Sequence, residues 1–158
     1  MYKIDEGFLS EQGCKNLINL HKKYIGNYYD VNKTWTVEIL KMQIKDIKAV
    51  EPLVFKIEEK YKFLKDVRLV NCQLIRWPEG SNHVEHIDIR TGEVDKWAFF
   101  LYLNEDFEGG DLILTEENKT IKPQTGKLVL FEAGKMKHKV NTILKKERYT
   151  LAGWYIWQ

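Results

Sequence analysis

The sequence predicts an α+β domain: two helices, then a mostly antiparallel β region closed as a barrel or two-sheet sandwich, with the helices against one sheet. Two observations carry this. Before residue 65, apolar residues recur at helical spacing in two segments. After residue 66 the pattern changes to short runs of branched and aromatic residues divided by turn signals. Helices that precede the strands, and do not alternate with them, argue against a doubly wound sheet.

The first helix is FLSEQGCKNLINLHKKY. Ser10 is placed to cap it, with Leu9 before and Cys14 after at hydrophobic-staple spacing. Cys14, Leu17, Ile18, His21 and Tyr24 then share one face, with His21 a partly covered helix residue. The second helix runs from about Pro52 to Leu64, with Leu53, Val54, Ile57, Tyr61 and Leu64 inward. Pro52 suits the first turn, where a missing N–H costs nothing. Between them KTWTVEILKMQI alternates as a strand does. The later strands are VRLVNCQLIRW, DKWAFFLYLN, GGDLILTE, GKLVLFEA, HKVNTIL and RYTLAGWYIW. Glu79-Gly80, Thr91-Gly92, Gly109-Gly110 and Ala133-Gly134 mark reversals. The chain reads as one domain over 1–158, with helical support over about 7–65 and a β core over about 67–156.

Composition narrows the class. Hydrophobic residues are 44% and charged residues 30% of 158, a globular mixture. No window approaches a membrane span, and MYKIDEGFLS lacks the apolar stretch of a secretory leader. With 25 basic and 23 acidic residues the formal charge is +2, which disfavours a nucleic-acid partner. A late basic cluster, from Lys135 to Arg148, reads mainly as solvated strand positions. Cys14 and Cys72 are far apart in apolar surroundings and read as buried thiols, so the expected location is a reducing cytoplasm.

The chemistry centres on His86-x-Asp88 in SNHVEHIDIR. Residues two apart on an extended chain face the same side, so an imidazole and a carboxylate can meet one metal. His138 supplies a second imidazole. Two His and one carboxylate match the facial triad of non-haem Fe(II) oxygenases. Spacing alone leaves three readings open: iron, zinc with His83 as a further ligand, or no metal. A regular strand would turn His83 away from His86, unless the chain bends there. Arg148, ten residues beyond His138, can line the same cavity from an adjacent strand. Its planar fork fits a carboxylate, and a buried arginine needs an anion. A surface or internally paired Arg148 is the alternative.

Four ordered blocks resemble the prolyl 4-hydroxylase-like branch of the 2-oxoglutarate/Fe(II) oxygenases. They are WPEGSNHVEHID (77–88), FFLYLNEDFEGGDL (99–112), PQTGKLVLFEAGKMKHKV (123–140) and RYTLAGWYI (148–156). The resemblance covers about 67–156 and implies a double-stranded β-helix of the jelly-roll or cupin type. It implies Fe(II) on His86, Asp88 and His138, and 2-oxoglutarate held by Arg148, Tyr102 and Trp77. Trp154 would be wall or core. Three positions depart from the family: Trp77 and His83 stand where tyrosine is common, and Ala98 where threonine is. Asp88 is retained, which favours an oxygenase over a halogenase.

The implied activity is a dioxygenase that hydroxylates an sp3 carbon and releases succinate and CO2, with O2 as co-reactant and ascorbate as reductant. The implied substrate is a prolyl residue of a peptide or protein, hydroxylated at C4. Tyr28, Tyr29 and His83 are the candidate substrate contacts, the tyrosines in a loop at the cavity mouth. The alternatives are an oxygenase of a free amino acid or small metabolite, a non-catalytic β-helix binding module, and a zinc protein.

Overall fold

The computed structural model describes residues 1–24, 27–31, 35–42, 50–90, 93–94 and 96–158. Helix α1 is Glu11–Lys23, and the Ser10 hydroxyl accepts the Gly13 N–H at 3.1 Å, so the predicted cap is present. Helix α2 is Glu51–Lys60, followed by a 3-10 turn over Lys62–Asp66 that completes the expected segment. His21 is buried rather than partly covered, with its ring edge-on to Tyr149. Tyr24 is half exposed because the helix ends there. Among the described residues no helix is long and apolar enough to cross a membrane.

Among the described residues fifteen strands follow in chain order. The first seven are Tyr2–Asp5 (β1), Asn27–Val31 (β2), Trp35–Met42 (β3), Val67–Trp77 (β4), His83–His86 (β5), Ile89–Arg90 (β6) and Glu93–Val94 (β7). Then come Trp97–Tyr102 (β8), Glu108–Gly109 (β9), Leu112–Leu114 (β10), Lys119–Ile121 (β11) and Leu128–Phe131 (β12). His138–Val140 (β13), Ile143–Lys145 (β14) and Arg148–Trp157 (β15) complete the chain. A seven-stranded sheet runs β1-β12-β8-β15-β4-β3-β2, and a four-stranded sheet runs β11-β10-β13-β5. Among the described residues every strand pairing is antiparallel.

Alternation builds two cores from one large sheet. On β8, Trp97, Phe99 and Leu101 pack with Cys14, Leu17, Ile57 and Leu64 on the helical side. Ala98, Phe100 and Tyr102 face the other way and meet Leu112, Leu114 and Val140 of the small sheet. A strand covered on both faces reads as a continuous apolar run, as WAFFLY does. The helices therefore lie against one sheet, and the two sheets enclose a separate interior, the arrangement of a double-stranded β-helix. Cys14 and Cys72 are free, buried thiols in the helical-side core. Burial pushes the Cys72 thiol up to about 12, which makes it inert.

Tyr28 and Tyr29 were expected in a loop. Their backbone is strand β2 at the edge of the large sheet, opposite Glu38 and Val37 of β3. Their side chains lie outside the described residues.

Candidate active site

His86 ends β5, Asp88 follows two residues later, and His138 opens β13, directly opposite His86. One ligand atom from each lies within 4.8 Å of the others. The Asp88 Oδ1 is 3.1 Å from His86 Nε2 and 3.5 Å from His138 Nε2. His138 is buried, and His86 and Asp88 are partly covered.

Local backbone sets the orientation of each donor. His86 Nδ1 donates to the Val84 carbonyl at 2.7 Å, and His138 Nδ1 donates to the Met136 carbonyl at 2.9 Å. With Nδ1–H committed, each Nε2 points at Asp88 and can carry either a proton shared with that carboxylate or, in its place, a metal. The Asp88 N–H donates to the Ala133 carbonyl at 2.9 Å, so the turn before β13 anchors both Asp88 and His138. Trp154 Nε1 donates to Asp88 Oδ2 at 2.9 Å, leaving Oδ1 turned toward the imidazoles. Trp154 was expected to be wall or core. Its tie to a residue 66 positions earlier left no mark in the local sequence. Burial opposes the Asp88 charge, but hydrogen bonds from His138 and His86 outweigh it and hold the carboxyl well below its usual range.

His83 does not turn away. Val140 faces His83 and His138 faces His86, so two residues of β5 bulge opposite one of β13. The bulge restores His83 to the side of His86, their ring centroids 3.7 Å apart, and His83 lines the cavity. It is not part of the converging metal-ligand set. Burial first, then the neighbouring His86, push its imidazole down to about 3, so it stays neutral at ordinary pH. The cavity holds about 310 Å3 and is walled by Ile75, Trp77, Phe100, Val140 and Trp154.

The sequence model of the 2OG-Fe(II) oxygenase superfamily matches residues 72–156. The chain belongs to that superfamily. A stretch of 67 residues is 41% identical to human prolyl 3-hydroxylase 3, covering 39% of this chain and 9% of that protein. The chain thus spans under a tenth of the length of that curated relative. A Pseudomonas putida prolyl-4-hydroxylase superposes with a TM-score of 0.84 at 18% identity, over 99% of this chain and 92% of that one. A Trichoplax adhaerens prolyl hydroxylase, solved with a hypoxia inducible factor peptide fragment, superposes at 0.80 and 19% identity, over 98% and 83%. These structures show the shared double-stranded β-helix.

The superfamily's metal and cosubstrate can be tested against the residues present. Two imidazoles and one carboxylate converging on a point fit Fe(II). Arg148 is fully buried, and none of its three guanidinium nitrogens has a hydrogen-bond partner among the described residues. The Tyr102 hydroxyl is buried and unpaired in the same way. The Arg148 guanidinium carbon lies 4.7 Å from the Trp77 ring centre and 5.2 Å from that of Tyr102. Such a cluster of donors around a buried cation fits the carboxylate of a 2-oxo acid. Burial pushes Arg148 down and Tyr102 up, and the cation opposes the shift of the phenol.

The Trp77 N–H donates to the Thr150 hydroxyl at 3.2 Å, so what the residue offers the pocket is its ring face. The double glycine makes room. Gly110 has φ of +70°, and a β-carbon there would meet Ile143, Phe107 and the Arg148 side chain. Within the late basic cluster, Lys135, Lys145 and Lys146 pair with Glu132, Glu108 and Asp106.

Proposed function

We propose that the chain is an Fe(II)- and 2-oxoglutarate-dependent dioxygenase that hydroxylates a prolyl residue in a peptide or protein. The observation that carries it is the buried, unpaired Arg148 guanidinium beside Tyr102 and Trp77, in the interior that also holds the triad. A structural zinc site would account for the histidines and leave Arg148 unexplained. A non-catalytic module would not need three ligands grouped to leave coordination positions open.

Bound Fe(II) and 2-oxoglutarate would together activate O2, releasing succinate and CO2 as one oxygen atom passes to an sp3 carbon. His86, Asp88 and His138 would hold the metal on one face, each fixed by a backbone or indole hydrogen bond. Arg148 would take the far carboxylate through its fork, with the Tyr102 hydroxyl donating alongside. Trp77 would close that end by packing. Ile75, Phe100 and Val140 would give the reacting centre an apolar wall. His83, as a neutral imidazole on the cavity wall, would contact substrate, with Tyr28 and Tyr29 of β2 as further contacts.

The peptide substrate is supported by the prolyl hydroxylase names among the relatives and by the peptide-bound Trichoplax neighbour. The buried free thiols suit work in a reducing cytoplasm, with ascorbate as the reductant.

Anaerobic addition of Fe(II) and 2-oxoglutarate to folded protein should produce the weak visible charge-transfer band of the chelate. No band would end the oxygenase reading. Mass spectrometry of proline-containing peptides and small substrates, with O2 admitted, should find one oxygen gained on proline only when 2-oxoglutarate is present. Fragmentation and hydrolysis then assign C3 or C4. Coupled turnover of a free metabolite, without peptide oxidation, would retain the oxygenase and replace the substrate.

A further inference from the structure

Strand β4 presents Asn71, Gln73, Ile75 and Trp77 to the cavity that holds the triad. The last two are buried and apolar. The first two are half-buried carboxamides, with neither side chain paired to another described residue. On β15, Trp154 stands opposite Asn71 and the small Ala152 opposite Gln73. Apolar side chains would cost less at such inward positions, because a half-buried amide loses water unless another group replaces it. A carboxamide both donates and accepts, as a peptide group does. Two residues along a strand advance about 6.6 Å. Two residues of a polyproline-type chain advance about 6.2 Å. The two carboxamides therefore match alternate peptide groups of an extended, proline-containing chain.

We infer that Asn71 and Gln73 hold two main-chain amides, two residues apart, of an extended peptide drawn past the metal triad. This rests on the prolyl-peptide reading above. Proline itself has no N–H, so the donors satisfied belong to its neighbours in the chain. The pair thus selects for peptide flanking the reacting residue and gives a single capped proline little to bind.

The test compares KM and kcat for N-acetylprolinamide and for longer capped peptides with a central proline. The wild type should favour the longer peptides. Asn71→Leu and Gln73→Met should each raise the long-peptide KM by about 3- to 10-fold, as loss of one hydrogen bond implies. kcat at saturating peptide and the KM for N-acetylprolinamide should move less. Asn71→Asp and Gln73→Glu keep size and polarity while removing the donor, and should show the same split if the apolar variants fold poorly. Anaerobic 2-oxoglutarate affinity checks that each variant is intact. Unchanged long-peptide KM in intact variants would overturn this inference and leave prolyl hydroxylation standing. A wild type that oxidises no peptide but turns over a free metabolite would overturn the prolyl reading and this inference with it.

Discussion

Arg148→Met should stabilise the ligand-free protein while abolishing its response to 2-oxoglutarate. Three guanidinium nitrogens are buried without protein partners. Each unsatisfied donor costs about 1–3 kcal/mol. The rings of Trp77 and Tyr102, 4.7 and 5.2 Å from the guanidinium carbon, return about 0.5–2 kcal/mol each. Methionine keeps most of the volume and the flexible stem. Taking the low end of each range, the balance leaves about 2 kcal/mol of relief. At about 2–4 °C per kcal/mol for a chain of this size, melting should rise by roughly 4–8 °C.

The assay is thermal unfolding with Mn(II) as a redox-silent metal, with and without 2-oxoglutarate. A ligand at a hundredfold excess over its dissociation constant adds about 2.7 kcal/mol of stability. The wild type should gain that increment and the variant should not. Metal affinity should persist in the variant, since Arg148 is not in the triad. A variant that melts below the wild type without ligand would show that Arg148 is already satisfied. A variant still stabilised by 2-oxoglutarate would show that the cosubstrate binds elsewhere.

Trp154→Phe keeps a ring against Phe100 but loses the donor to Asp88 Oδ2, and metal affinity by anaerobic calorimetry should fall about 10-fold; unchanged affinity would reduce the indole to packing. His86→Ala and His138→Ala should each lose most metal binding, whereas His83→Ala should keep it. Metal loss in the last variant would restore the zinc arrangement.

The legible parts of this fold were those whose cause is local. Strands β4 and β15 match the predicted VRLVNCQLIRW and RYTLAGWYIW, because long branched and aromatic runs have one stable use. Strand β1 went unread: YKID carries charges at an edge, and only its pairing with β12 makes it a strand. Strand β2 was read as a loop for a similar reason, since its partner β3 supplies the order. His86, Asp88, His138 and Arg148 were singled out through the four family-like blocks, because their spacing alone left iron, zinc and no metal all open. Which way His83 turns was left to whether the chain bends, because a bulge belongs to the register between two strands and is written in neither. Trp154 was missed because an indole N–H reveals its role only through its acceptor.

Arg148 and Trp154 lie six residues apart on β15, about 20 Å of strand, and both face the interior. One reaches the unpaired donor cluster and the other reaches Asp88. β15 is bonded to β4 on one side and β8 on the other, so neither end can slip alone. Gly153 tests whether that rigidity matters. It faces the helical side, where an added β-carbon would lie 2.2 Å from the Phe99 ring. Gly153→Ala touches neither ligand site, but either Phe99 or the strand must move. Overpacking of this kind costs about 1–3 kcal/mol. If β15 carries the displacement, affinities for Mn(II) and 2-oxoglutarate should fall together, unlike the separate losses expected for Trp154→Phe and Arg148→Met. A lower melting temperature with both affinities intact would show that Phe99 yields instead, and that the two ends of the site are not coupled through this strand.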